Sequence, residues 1–146
     1  MYNTYNGLEF KTTLQATWAA FFDLAGWKWW INPVSVNDWK PDFKVSFLCT
    51  HSECSGSHTL FISVLPITSI ESNINHPSQK HHFSVQDSNG NYLADSGALF
   101  GDNPDATIWQ MAHGSGGGVE NLRGWVPDAD SLWKQAINIV KKTAIY

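Results

Sequence analysis

Apolar positions along this chain switch between a helical and an extended period, and the switches divide it into elements. Leu14, Trp18, Phe21, Phe22 and Ala25 recur at spacings of three and four, which predicts an amphipathic helix over residues 13–25. Thr12 and Gln15 fit a capping box before it, and Gly26 fits its stop. Residues 27–31 are short and aromatic and end at Asn32-Pro33, which predicts a strand leaving the helix. Residues 39–48 then alternate, with Phe43, Val45 and Phe47 on one side and Asp42, Lys44 and Ser46 on the other. That is the pattern of a half-buried strand with Asp42 near its start. Beyond the polar stretch 49–58, Thr59-Leu-Phe-Ile-Ser-Val-Leu-Pro66 is an apolar run expected of a more central strand, paired with its predecessor as a hairpin.

The pattern weakens over residues 67–79, which read as a loop or a short helix. Residues 81–86, 91–94 and 107–113 are short strand candidates, separated by the turn signals Asn89-Gly90 and Gly101-Asp-Asn-Pro104. Gly114-Ser-Gly-Gly-Gly118 reads as a mobile hairpin tip; no Lys-Ser/Thr follows it, so a phosphate cradle is disfavoured. A final helix is predicted over 130–143, with Leu132, Trp133, Ala136, Ile137 and Val140 on one face. Its acidic start and its Lys141-Lys142 end match the helix dipole. There is no internal repeat and no low-complexity segment.

A length of 146 residues fits one domain, 1–146, with its own core. Eight Trp and eight Phe supply much of the apolar content and only 15% of residues are charged, which argues against disorder. The formal net charge of −4 gives no global attraction to a phosphate backbone, so nucleic-acid binding would need a local basic patch or a metal. No basic flank precedes an apolar run, so neither a signal peptide nor a membrane span is expected, and the expected location is cytoplasmic. Two cysteines make no disulfide framework.

Candidate chemistry concentrates in Cys49-Thr-His51-Ser-Glu-Cys54-Ser-Gly-Ser-His58, where four soft or borderline ligands fall within ten residues. Two readings stand: a Zn²⁺ site at Cys49, His51, Cys54 and His58, or a polar exposed loop with reduced thiols. The spacing lacks the Cys-x₂-Cys knuckle of common zinc sites. His76, His81 and His82 read as a solvated strand edge, because adjacent His81 and His82 face opposite sides of a strand. Trp18, Trp133 and Trp30 are expected in the core. Trp29, Trp39, Trp109 and Trp125 cannot all fit inside a small domain, so they are candidates for core or rim packing or for an interaction patch. A stacking platform for single strands would need more Arg and Lys around it than this chain supplies.

The stretch from Glu9-Phe-Lys-Thr-Thr-Leu-Gln-Ala-Thr-Trp-Ala-Ala-Phe-Phe-Asp23 through the aromatic strand to Pro41-Asp42-Phe43 resembles the PD-(D/E)XK nuclease superfamily, in its phage and mobile-element branch. The strand Leu60-Phe-Ile-Ser-Val-Leu-Pro66 stands where that family has Val-Glu-Val-Lys, and Leu132-Trp133-Lys-Gln-Ala136-Ile-Asn138 is similar to its closing helix. The resemblance covers both ends and the central strands, and leaves residues 49–58 and 68–118 largely unmatched. It implies a restriction-endonuclease-like α/β fold, a central mixed sheet flanked by the amino-terminal and carboxyl-terminal helices. It also implies a Mg²⁺ site at which Asp42 keeps the family aspartate, while Gln15 replaces the helix glutamate, Ser63 the strand glutamate and Leu65 the strand lysine. One carboxylate with an amide and a hydroxyl is a poor Mg²⁺ site, and Leu65 can neither orient water nor offset charge. The expected function is therefore a non-catalytic, nuclease-fold binding protein with a protein partner, such as a phage or mobile-element inhibitor of host defence. The alternatives are a metal-dependent nuclease with rearranged ligands, recruiting Glu9, Lys11, Lys44 or Glu71, and a non-cleaving DNA-binding module.

Overall fold

The structure is a computed structural model and describes residues 3–50, 54, 56–114 and 116–145, with the backbone alone for 143–145. A small hairpin of β1 (Thr4–Tyr5) and β2 (Leu8–Glu9) leads into helix α1 (Thr13–Leu24). Thr12 is extended at φ −139° and its hydroxyl accepts the Gln15 N–H at 3.1 Å, which starts the helix. The Gln15 amide oxygen reaches back to the Lys11 N–H at 3.3 Å, so the expected capping box closes one residue early. Gly26, at φ 78°, lets the chain reverse, and the Trp27 N–H bonds the Phe22 carbonyl at 2.8 Å.

Strands β3 (Lys28–Ile31), β4 (Phe43–Leu48) and β5 (Ser57–Val64) form an antiparallel meander. Residues 65–95 then cross over, carrying 3₁₀ turns at Glu71–Asn73 and Pro77–Lys80 and a minimal hairpin of β6 (Val85–Gln86) and β7 (Tyr92–Ala94). The chain returns as β8 (Ser96–Phe100), parallel to β5, and continues into β9 (Thr107–His113) and β10 (Gly116–Glu120), each antiparallel to its predecessor. The result is a six-stranded mixed sheet in the order β10-β9-β8-β5-β4-β3, closed by helix α2 (Ala129–Ile145).

Both helices lie on the same face of this sheet. Phe43, Val45 and Phe47 from β4, Leu60, Ile62 and Val64 from β5, and Trp109 and Met111 from β9 share a core with Trp18, Phe21 and Phe22 of α1 and with Ala136 and Val140 of α2. The other face is covered by the crossover, where Trp39, Phe61, Val85 and Ala94 form a second, smaller core. Gly97 permits that layer to approach: a Cβ there would collide with the Ser78 carbonyl.

Several expectations change. Residues 81–86 are a strand only at Val85–Gln86, and β8 emerges from a stretch with no recognised pattern. The glycine run does turn the β9–β10 hairpin, at Gly114 with φ 66°, but Gly116, Gly117 and Gly118 belong to β10, paired with His113, Ala112 and Met111. The alternating strand begins at Phe43, and Trp39 instead makes an isolated bridge to Val36. Trp30 is not in the core: it is 47% exposed, with the Lys44 ammonium 4.9 Å from its ring.

Trp18 is the keystone of the main core. Fully buried, it packs on Phe21, Phe22, Phe100 and Trp133, and its indole N–H bonds the Gly101 carbonyl at 2.9 Å. Trp18→Ala removes this filling and orphans a carbonyl, and is expected to cost about 3–5 kcal/mol of stability in denaturant titration.

Candidate metal centre

Three core-facing stripes of the sheet end in metal-ligating side chains. On β4 the stripe Phe43, Val45, Phe47 continues two residues on to buried Cys49. On β5 the stripe Val64, Ile62, Leu60 runs back to His58, which is paired with Phe47 across the hairpin. On β9 Trp109 and Met111 lead to His113. Cys54 joins them from the β4–β5 loop, whose ends are tied by the Cys49 N–H to the Gly56 carbonyl at 3.0 Å. One ligand atom from each of Cys49, Cys54, His58 and His113 lies within 4.8 Å of the others.

The surroundings are built of ring contacts. The Trp125 indole lies 5.5 Å from the His58 ring and 5.0 Å from the His113 ring, and meets Phe47 edge-on at 4.8 Å. The two imidazoles meet edge to face at 5.6 Å. A recess of about 360 Å³ lined by Leu48, Cys49, Thr50, His113 and Trp125 opens beside them. The His58 side chain is only 5% exposed, and its Nε2 has no hydrogen-bond partner among the described residues. The Gly114 N–H donates to Cys54 Sγ at 3.2 Å. Partial desolvation, then the neighbouring Cys49 thiol, hold the Cys54 thiol above its ordinary pKa, with the Gly114 N–H opposing them. A cation at the centre of the four would reverse that balance by favouring the thiolates. The group could thus bind a metal such as zinc.

The expected ligand set is met at Cys49, Cys54 and His58, while His51 lies outside the described residues. His113 was not a sequence candidate. Its signal was its place at the end of the Trp109, Met111 alternation, but its partners are distant in the chain.

The positions implied by the nuclease resemblance separate into two places. Asp42 and Gln15 line a recess of about 40 Å³ with Glu9, Phe10, Lys11, Ile31 and Asn32. Ser63 does not line that recess; it is buried beside the crossover, where its hydroxyl accepts the Trp39 indole N–H at 2.7 Å. Leu65 is half-buried just past β5, and its N–H bonds the Phe100 carbonyl. Asp42 itself has backbone work: its Oδ2 accepts the Val64 N–H at 2.8 Å, its N–H donates to Ile62, and its carbonyl accepts from Asn32. Of the carboxylate and lysine candidates for a rearranged site, Glu9 and Lys11 reach this recess; Lys44 and Glu71 do not line it.

The tryptophan candidates divide likewise. Trp109 is fully buried and Trp39 is 5% exposed, so neither offers a surface. Trp29 is half-buried, with its N–H on Asp23 Oδ1 at 2.8 Å, and Trp125 is half-buried over the two histidines. Of the three histidines expected on a strand edge, His76 caps the Pro77–Lys80 turn and His81 stacks on Trp39 at 5.2 Å, and residues 81 and 82 lie outside any strand.

Comparison of the chain with protein-family profiles, curated proteins and solved structures finds no match.

Desolvation raises the Asp42 carboxyl above the usual carboxylate range, opposed by the Val64 N–H, Lys11, His76 and Gln15. A carboxyl with a raised folded-state pKa binds more protons folded than unfolded, so its contribution to stability falls as pH rises from the unfolded value through the folded one. Asp42→Asn keeps an acceptor for Val64 and removes the buried charge. It is expected to be more stable than the parent at pH 7, with the difference shrinking as pH drops below the Asp42 pKa; denaturant titrations across pH measure it.

Proposed function

We propose that this chain is a non-catalytic binding protein of restriction-endonuclease-like architecture, whose sheet end is stapled by a structural Zn²⁺ held by Cys49, Cys54, His58 and His113. The convergence of these side chains from just past β4, the β4–β5 loop, the start of β5 and the end of β9 carries the metal assignment. Two thiols and two imidazoles are a donor set suited to tetrahedral Zn²⁺, and four protein ligands leave no open position for a substrate. Ligand atoms around tetrahedral zinc stand roughly 3.3–3.8 Å apart. The group, within 4.8 Å, needs a contraction of about an ångström to close on the ion.

Zinc here closes the β4–β5 hairpin and ties it to the end of β9, two segments that β8 separates within the sheet. The non-catalytic reading rests on a closed four-ligand set that leaves no position for a substrate, and the net charge disfavours nucleic acid as the partner. A protein is the favoured partner. The resemblance to the mobile-element branch extends this to an inhibitor of host defence that works by covering a partner's surface.

A reconstituted protein should hold about one Zn²⁺ per chain by elemental analysis, and its Co²⁺ form should show thiolate-to-metal charge transfer with tetrahedral visible bands. Cys49→Ser and His113→Ala should each abolish stoichiometric binding, and chelation should lower the thermal midpoint of the parent but not of these variants. A parent protein that takes up no zinc overturns the assignment.

A second reading, a metal-dependent nuclease with rearranged ligands, is favoured by one observation: Glu9, Lys11, Gln15 and Asp42 line the same recess. At about 40 Å³ that recess has room for a few waters and little else. Incubation with single- and double-stranded DNA and RNA in Mg²⁺ or Mn²⁺ is expected to give neither cleavage nor retention of the nucleic acid. Cleavage that disappears in Asp42→Ala would establish the second reading instead.

A further inference from the structure

We infer that Asp95 is a positioning residue of the metal centre, holding His58 by Nδ1 so that Nε2 faces the ion; this rests on the zinc reading above. Asp95 Oδ2 stands 3.4 Å from His58 Nδ1, near enough for an ion pair but not aligned as a hydrogen bond. The ring is buried, and its Nε2 has no hydrogen-bond partner among the described residues. A buried imidazole with one nitrogen turned to a carboxylate and the other unpartnered is arranged as a ligand awaiting its ion. Its proton belongs on Nδ1, toward the carboxylate, which leaves the Nε2 lone pair to the metal.

The carboxylate is itself held in place. The Thr59 N–H donates to Asp95 Oδ2 at 2.7 Å, the Tyr92 hydroxyl donates to Oδ1 at 2.5 Å, and the Asp95 N–H donates to the Thr59 carbonyl at 2.8 Å. Both oxygens and the backbone are therefore fixed from two neighbouring strands before any metal arrives. Through Tyr92 the relay reaches β7, so the crossover layer is joined to the metal end of the sheet. Glu120 stands in the same relation to His113, at 3.8 Å from Nδ1, but on an edge strand. It serves as the weaker counterpart.

The test is a competition titration of Zn²⁺ against a chelator, with the full chain and its variants. Asp95→Asn is nearly isosteric, keeps a carbonyl oxygen for Thr59 and removes the carboxylate; its Zn²⁺ affinity should fall about 10–100-fold, with the Co²⁺ spectrum still that of two thiolates and two imidazoles. Tyr92→Phe should shift affinity the same way by less, and Glu120→Gln by less than Asp95→Asn. Two-bond ¹⁵N–¹H spectra of the Zn²⁺-loaded parent should show His58 protonated at Nδ1 and metal-bound at Nε2, a readout that a merely structural role for Asp95 would not set. Should Asp95→Asn fail to fold, Tyr92→Phe and the parent tautomer decide. Unchanged affinity in the variants, or His58 bound through Nδ1, overturns the role of Asp95 and leaves the zinc reading standing. A parent that binds no Zn²⁺ removes both.

Discussion

The constraint on which the molecule depends is the burial of one face of its sheet beneath α1 and α2. Side chains alternate along a strand, so a strand that turns Phe43, Val45 and Phe47 toward the helices must also turn Cys49 that way if the extension continues. The same holds for His58 ahead of Leu60 and for His113 after Met111. The helices do not cover this end; Trp125 does, with the cysteine-bearing loop beside it. Thiol and imidazole groups thus gather where the apolar core runs out. An imidazole buried without partners costs free energy, and a shared cation is one of the few ways to satisfy several such groups at once.

Much of this was visible in the chain because local pattern and tertiary environment agree. α1 carries its face, its cap and its glycine stop in the sequence, and β4 alternates because one side is buried and the other half-open. β8 did not announce itself, since Ser96–Phe100 is buried on both faces and includes Ser, Gly and Ala chosen for closeness rather than for alternation. β10 was illegible for a different reason. Gly116, Gly117 and Gly118 have little strand preference of their own, and their extended conformation is imposed by the ladder with β9. Trp30 misled because its size suggests burial, whereas it stands on an edge strand with Lys44 over it.

The candidate site shows the same division between local and long-range information. Cys49, Cys54 and His58 stand close together in the chain, and a hairpin brings them together with no other part of the fold. His113 arrives only because β8 returns parallel to β5 and hands the sheet on to β9. That β8 begins only at Ser96 matters as much: extending the registers toward His58 and His113 sets both level with residue 94, just before β8 begins. With no strand of the main sheet between them there, the two imidazoles meet edge to face. No single-segment pattern contains that gap.

Asp42 and the metal centre occupy opposite ends of β4, one just before Phe43 and the other just after Leu48. Seven steps at about 3.3 Å put them on the order of 20 Å apart, too far for one ion to serve both. Cys49, Cys54, His58 and His113 therefore form a group separate from Asp42, which has its own backbone role where it stands. Its bond to the Val64 N–H and its backbone bonds to Ile62 and Asn32 join the end of β3, the start of β4 and the end of β5. A neutral acceptor would serve there with less desolvation, so charge at this position is a burden on stability. Pro41-Asp42 thus marks where a strand begins, whereas the two thiols and two imidazoles mark a group that could bind a metal.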